Sequence, residues 1–357
     1  MPKGCDCCPQ LFATQRTESA ARRAEPVHGD ANRPKALRVH EVAAGSPCLH
    51  DIAQPRSAEA RHTILRDNQC VTIQRQLATW FKANARVLPW RDPRMTAWQI
   101  LVSEIMLQQT PAERVAPQFE AWIKRWPTAA ALARATPAEV IRQWDRLGYP
   151  NRALRLHKTA QVVVRDYAGE LPDTYEELVA LPGIGDYTAS AILAFAHNKR
   201  SVVLDTNIRR VIARVWNGQA RQGPSISSIE REFAQSLVPS TDKAAAIWSA
   251  AIMEFGATIC TATKPSCDSC ILAKDCAWRL AGYPTGDIKP RTQKFVGTDR
   301  QVRGIIMKVL RDSTGSVTQN DLRTLWADHQ QLDRALDGLV TDGLVDVTRA
   351  GRLRLPQ

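Results

Sequence analysis

No stretch of this chain approaches the ~18 consecutive apolar residues that a membrane-spanning helix needs. The N-terminus has no apolar core of the kind a secretory signal requires. Together these disfavour a membrane or secreted protein. The expected compartment is cytoplasmic and reducing, and nucleoid-associated if the source is bacterial, so disulfides are not expected among the 9 cysteines. No alternating strand pattern precedes residue 344, which argues against a sheet-built body. Nor is there a histone-like basic tail. The 48 Lys and Arg exceed the 36 Asp and Glu by 12, and that excess is spread along all 357 residues. Such a balance favours a polyanionic partner, nucleic acid ahead of an acidic membrane.

Residues 1–70 are predicted to be a disordered extension. They hold scattered prolines, many Ala and Arg, and no sustained apolar period. Cys5, Cys7 and Cys8 crowd together there, but no partner set with metal-ligand spacing follows them. From residue 71 the pattern turns helical. Ile73, Leu77, Trp80 and Phe81 fall on one helix face. Four capping boxes are predicted at Thr96–Gln99, Thr110–Glu113, Thr136–Glu139 and Thr174–Glu177. Further helices are expected near 152–165, 187–197, 206–216, 228–237 and 243–255. The fold class is therefore all-α over 71–282, with short loops. Pro and Gly mark 283–297 as a linker. Over 298–357, three apolar-periodic segments precede an alternating pair around Ala350-Gly351, which predicts a small winged-helix-like α+β domain. Whether that domain meets DNA or protein is left open by its pattern.

Three features carry chemistry. The first is Leu181-Pro-Gly-Ile-Gly185, followed by an apolar helix and then Leu204-Asp205-Thr-Asn207. Gly183 and Gly185 permit a tight turn with bare amides beside a helix N-terminus, a setting that suits phosphate. Asp205 adds a carboxylate at the head of the next helix, where it also reads as an ordinary N-cap.

The second is Cys260, Cys267, Cys270 and Cys276, spaced C-x6-C-x2-C-x5-C. Four soft ligands this close suit zinc or an iron–sulfur cluster, and spacing alone leaves both open. Lys264, Lys274 and Arg279 flank them and offer the loop to phosphate.

The third is Glu104, on a helix whose polar positions form a narrow strip of Gln99, Ser103, Glu104 and Gln108. A carboxyl so placed is expected to be partly desolvated, which raises its pKa toward neutrality. The plainer alternative is that it faces solvent. Glycosidic cleavage needs an acid for the leaving group and an anion beside the developing oxocarbenium ion, roles that Glu104 and Asp205 can fill.

Residues from about 75 to 282 resemble the adenine DNA glycosylases of the MutY family. The resemblance rests on Leu88-Pro89-Trp90, Ser103-Glu-Ile-Met-Leu-Gln-Gln-Thr110, Leu147-Gly-Tyr149, Leu181-Pro-Gly-Ile-Gly185, Leu204-Asp-Thr-Asn207 and the four cysteines, all in the family's order. It implies a two-lobed helix-hairpin-helix glycosylase core, with the hairpin near 175–197 and one [4Fe–4S] cluster on the 260–276 loop. Its implied partner is double-stranded DNA containing an adenine mispair, bound by a monomer.

Residue by residue, the resemblance implies that Glu104 protonates adenine and Asp205 stabilises the sugar cation. Tyr187 and Asn207 would line the pocket. Gln109 and Tyr149 would wedge into the duplex, with Thr110 and Leu147 near the opposing purine. The related endonuclease III enzymes carry a nucleophilic Lys where this chain has Tyr187, so a monofunctional enzyme using water is expected. Two departures stand out. Many relatives end in a larger Nudix-like domain, and many carry a second aromatic where this chain has Pro150. A thymine or oxidised-pyrimidine glycosylase on the same fold is the alternative enzyme, and a non-catalytic metal-stabilised DNA-binding protein is the alternative outside enzymes. Basic residues expected on phosphate are Arg152, Arg155, Lys158, Arg209 and Arg210.

Overall fold

A computed structural model describes residues 58–285 and 295–357, with side chains from residue 68 onward. The assignment of residues 1–57 as a disordered extension, the Cys5–Cys8 group and most of the 283–297 linker lie outside it. The described residues are helical, apart from one short hairpin near the C-terminus.

Helix α1 (Ala58–Asn84) begins ahead of the expected start at 71 and buries Cys70, Ile73 and Leu77. A 3-10 turn at Pro89–Arg91 leads into α2 (Ala97–Leu107). Then come α3 (Ala112–Arg125), α4 (Ala129–Ala133), α5 (Pro137–Trp144), α6 (Asn151–Asp166) and α7 (Tyr175–Ala180). Next are α8 (Asp186–Phe195), α9 (Thr206–Val215), α10 (Ser228–Ser236), α11 (Asp242–Thr258) and the short α12 (Ala277–Leu280). Local chemistry explains most starts. Thr96 and Thr136 close full capping boxes with Gln99 and Glu139, and Thr174 accepts from the amide of Glu177.

One expected cap is corrected. The N-cap of α3 is Pro111, with no side-chain cap. The Thr110 hydroxyl turns away from Glu113 and lies 3.2 Å from the Gln108 carbonyl and 3.3 Å from that of Leu147. A buried hydroxyl must find acceptors, and the carbonyls of two turns outcompete an exposed helix end.

Two apolar clusters form the helical body. One gathers α2 to α7 around Trp122, Trp144, Phe119 and Leu132. The other gathers α1, α9 and α11 around Leu77, Val211, Ile252 and Phe255. Helix α8 serves both. Ala189, Ile192 and Leu193 face the first cluster, and Ala191 and Ala194 face the second. It is apolar all round because it is the wall between two lobes. Each fully buried Leu, Ile or Phe contributes about 2 kcal/mol of transfer free energy.

The last segment comprises α13 (Asp299–Asp312), α14 (Gln319–Arg323), α15 (His329–Thr341) and an antiparallel hairpin of β1 (Asp346–Val347) and β2 (Leu353–Arg354). Val317 adds a single bridge to Leu353, a third strand position that no sequence period marked. This unit has its own apolar cluster, and that cluster also takes in Ala138 and Ile141 of α5. The C-terminal unit is therefore docked on the first lobe.

Candidate functional site

A cleft opens between the lobes. Phe81, Arg86, Arg91, Glu104, Asn207 and Glu254 are among its lining residues. Glu104 reaches it from α2, a helix apolar enough to be buried along most of its length, and is only 5% exposed. Burial raises its carboxyl, the Tyr187 hydrogen bond opposes that, nearby Asp205 raises it further and Arg91 lowers it. The net result is about 7. The Tyr187 hydroxyl donates a 2.8 Å hydrogen bond to Oε2 of Glu104. Burial beside the Glu104 and Asp205 carboxylates in turn holds Tyr187 well above the usual phenol range.

Asp205 is the N-cap of α9. Its Oδ1 accepts from the Ile208 amide at 2.6 Å and its Oδ2 from Nδ2 of Asn207 at 2.7 Å. Burial still raises its pKa above the ordinary value. Asn207 is fixed on its other side by Arg210, whose guanidinium donates to Oδ1 at 2.7 Å and also to the carbonyls of Gly256 and Cys260. Gly256 is required where α11 passes α9. A Cβ there would stand 2.7 Å from the Asn207 carbonyl oxygen and 2.9 Å from its backbone carbon. The four predicted pocket residues thus belong to one electrostatically coupled group. Solvent exposure is not the fate of Glu104.

The sequence did not expose the arrangement opposite them. Glu254 is 1% exposed on α11. It accepts from Arg86 through the amide at 3.0 Å, Nε at 2.7 Å and an Nη at 2.9 Å, and from Arg91 at 2.8 Å. Burial works to raise this carboxyl, but the two guanidiniums outweigh it and bring it down to about 2. Arg86 and Arg91 are thus held in the cleft wall as cations.

Two left-handed turns stand at the mouth of the first lobe. Gln109 has φ 56°, and Gly148 and Tyr149 have φ 77° and 48°. Both Gln109 and Tyr149 are exposed, while Thr110 and Leu147 are buried behind them. Arg152 stitches the turns together. Its guanidinium donates to the carbonyls of Ile105, Met106, Gln108, Leu147 and Gly148 and to the Thr110 hydroxyl. Arg152 is therefore internal, a correction to its expected phosphate role. Arg209 and Arg210 need the same correction. The first is buried against Glu230 at 2.6 Å, and the second is consumed by Asn207 and the carbonyls of Gly256 and Cys260. Arg155 and Lys158 remain exposed on α6.

The hairpin between α7 and α8 turns at Gly183, φ 80°, where a Cβ would meet Cβ of Arg155 at 2.9 Å. Gly185 is the N-cap of α8 and supplies no capping side chain. Gly183 and Gly185 are exposed in this turn, beside a positive helix end.

Cys260, Cys267, Cys270 and Cys276 line one small cavity in the second lobe, together with Arg214, Phe255, Leu272 and Trp278. Arg214 reaches Sγ of Cys260 at 3.3 Å. Burial pushes the Cys270 thiol up to about 11, and the other three cysteines add to that. Among the described residues, no three His, Cys, Asp or Glu side chains are gathered as around a single metal ion. The donor set does fit a soft, thiolate-bound group. Four sulfurs share an apolar pocket with cations at its rim, and a bound cation would offset the cost of burying thiolates. Lys264 and Lys274 are exposed next to it.

Residues 102–239 match the model of the HhH-GPD superfamily base excision DNA repair proteins. An adenine DNA glycosylase from Mycolicibacterium smegmatis is 50% identical over 281 residues, covering 78% of this chain and 94% of the relative. The human adenine DNA glycosylase is 36% identical over 236 residues, covering 63% of this chain and 42% of that protein. Among solved structures, a thermostable thymine-DNA glycosylase aligns with a TM-score of 0.56 at 26% identity over 60% of this chain and 99% of its own. A trapped endonuclease III–DNA covalent intermediate aligns with a TM-score of 0.52 at 21% identity over 61% of this chain and 98% of its own, a likeness of fold. With half of the aligned residues identical over 78% of its length and nearly the whole of a relative, the chain belongs to the adenine DNA glycosylase, or MutY, family.

Proposed function

We propose that this protein is a monofunctional, monomeric DNA glycosylase of base excision repair that removes adenine mispaired with 8-oxoguanine or guanine. The observation that carries the reading is the grouping of Glu104 and Asp205 about Tyr187, with Glu104 and Asn207 lining the cleft. Cleavage of the N-glycosidic bond needs both groups at once. Glu104, with a pKa near 7, gives its proton to a ring nitrogen of the extruded adenine. The electron pair of the C1′–N bond leaves with the base, and the sugar carries the positive charge beside ionised Asp205. Water then adds to C1′ and returns a proton to Glu104, so the enzyme is regenerated. No lysine stands at positions 186 to 188 to form a Schiff base.

The surroundings support a duplex substrate. Gln109 and Tyr149, exposed on their left-handed turns, would fill the gap left by a flipped base, with Thr110 and Leu147 behind them. The hairpin amides at Gly183 and Gly185, with Arg155 and Lys158, suit the phosphate backbone. The four cysteines would hold a [4Fe–4S] cluster, which when bound supplies a rigid cross-link for a loop with little apolar content. The C-terminal unit, three helices and a hairpin, reads as a winged-helix-like domain in the place where many relatives carry a Nudix-like one.

The test is base release from duplexes carrying adenine opposite 8-oxoguanine, guanine, cytosine or thymine, with thymine opposite guanine as a control. Strands are cleaved with alkali after incubation. Release of adenine opposite the two purines supports the assignment, and release of thymine instead overturns it.

A further inference from the structure

Helix α13 makes the C-terminal unit a neighbour of the Tyr149 turn. Arg311 is half-buried on α13 and faces Asp145 of that turn, and Arg142 of α5 donates to the Ser313 carbonyl at 3.2 Å. Ala138 and Ile141 of α5 pack with Val302 and Ile306. Three turns before Arg311, and on the same helix face, is Arg300. Its guanidinium carbon lies 4.7 Å from the centre of the Tyr149 ring and 5.7 Å from that of Phe295. Tyr149 also has Arg152 at 5.8 Å. It remains 40% exposed with φ 48°, a conformation that must be held from outside.

Its ring contacts set Arg300 apart from the other cations of the C-terminal unit. Residues 298–357 hold nine Lys and Arg against eight Asp. Arg303, Lys308, Arg323, Arg334 and Arg354 are each within 4.0 Å of an aspartate. Arg300, Arg311, Arg349 and Arg352 have no such carboxylate among the described residues, and of these four Arg300 is the one that lies on the Tyr149 ring. Helix α15 carries Asp333 and Asp337, which repel phosphate. With nine cations against eight aspartates, the unit carries little net positive charge. Its conspicuous contact is with one tyrosine of the neighbouring lobe.

We propose that Arg300 is a positioning residue for base extrusion, holding the Tyr149 ring from the C-terminal unit so that it enters the duplex in register. The proposal rests on the reading of Tyr149 as a residue that fills the gap. A cation over a ring face restricts the ring's swing and leaves its edge open to a base. The C-terminal unit is then part of the machinery that opens the duplex, acting through one side chain.

The experiment is a double-mutant cycle in the full-length protein, read as single-turnover adenine release and as fluorescence of 2-aminopurine placed beside the target adenine. Arg300→Ala is expected to slow release roughly five-fold and to weaken the fluorescence rise that reports extrusion. Arg300→Lys should recover most of both. The Arg300→Ala/Tyr149→Ala protein should be no slower than Tyr149→Ala alone. A thermal melt of each variant separates loss of fold from loss of positioning, and the Lys variant carries the test if the Ala variant melts early. Release by Arg300→Ala at the parent rate, failure of Lys to rescue, or fully additive losses overturn the proposal. A Tyr149→Ala protein as fast as the parent overturns the reading beneath it, whatever Arg300→Ala does.

Discussion

The hydroxyl of Tyr187 lies 2.8 Å from Oε2 of Glu104 and ties the wall helix α8 to the buried carboxyl of α2. Burial sets that carboxyl near 7, and the phenol moderates the effect by stabilising the ionised form. A proton donor with this value is charged with its proton below neutrality and loses it above. Adenine release should therefore fall as pH rises through about 7. Tyr187→Phe removes the donor that favours the anion, so the alkaline limb should move upward by up to about one unit. A pH–rate profile of both proteins checks this.

The same shift links to stability. The folded state keeps the Glu104 proton between the ordinary value of 4.5 and about 7, a range in which the unfolded chain has lost it. Stability from this group is present below the unfolded value and is lost as pH rises through 7. Glu104→Gln should thus be more stable than the parent at pH 8, by up to about 3 kcal/mol. Urea melts at pH 5 and 8 measure the difference.

Glu254 behaves in the opposite sense. Its folded value near 2 lies below the ordinary 4.5, so its contribution is present above 4.5 and is lost as pH falls toward 2. Glu254→Gln leaves Arg86 and Arg91 in the cleft wall without their shared anion. The expected cost is about 2–3 kcal/mol, since the guanidiniums are partly hydrated. Removing this anion raises the electrostatic potential around Glu104 and favours its ionisation, seen as a pH–rate limb displaced downward.

The basic residues on α6 divide by burial. Arg152 binds five carbonyls and a hydroxyl, so Arg152→Gln should destabilise the protein by about 2–4 kcal/mol. Arg155 and Lys158 are exposed near the hairpin. Replacing either with Ala should leave the melt unchanged and reduce the slope of log affinity against log salt by about one. Duplex binding at several salt concentrations distinguishes the two classes.

Cys270 shares its cavity with the three other cysteines. Cys270→Ser should remove the visible absorption of the proposed cluster and destabilise the 257–282 segment, measured as faster hydrogen exchange there. Unchanged exchange and unchanged DNA affinity would remove the structural role.

The helical body was legible because its signals are local. The Thr96 and Thr136 boxes and the 3.6-residue period place several helices to within a residue or two, as at Asp186–Phe195 against an expected 187–197, but miss the start of α1 by 13 residues and the end of α11 by three. The pairing of Glu104 with Asp205 was readable as chemistry, yet its geometry depends on α8 packing against both lobes. Glu254 left no trace, because it sits in an apolar helix and its partners lie 163 and 168 residues away. Arg152, Arg209 and Arg210 read as surface charge for the same reason. A sequence shows a cation, but the carbonyls that absorb it come from the ends of distant turns. The Val317–Leu353 bridge is a single pair, too short to leave an alternating period.

The most direct measurement is single-turnover release of adenine from an adenine–8-oxoguanine duplex by the parent and by Glu104→Gln, with duplex affinity measured on the same samples. Release should fall by at least about 100-fold, the usual worth of a positioned general acid, while affinity stays within a few-fold of the parent. Adenine release by Glu104→Gln at the parent's rate would contradict the account.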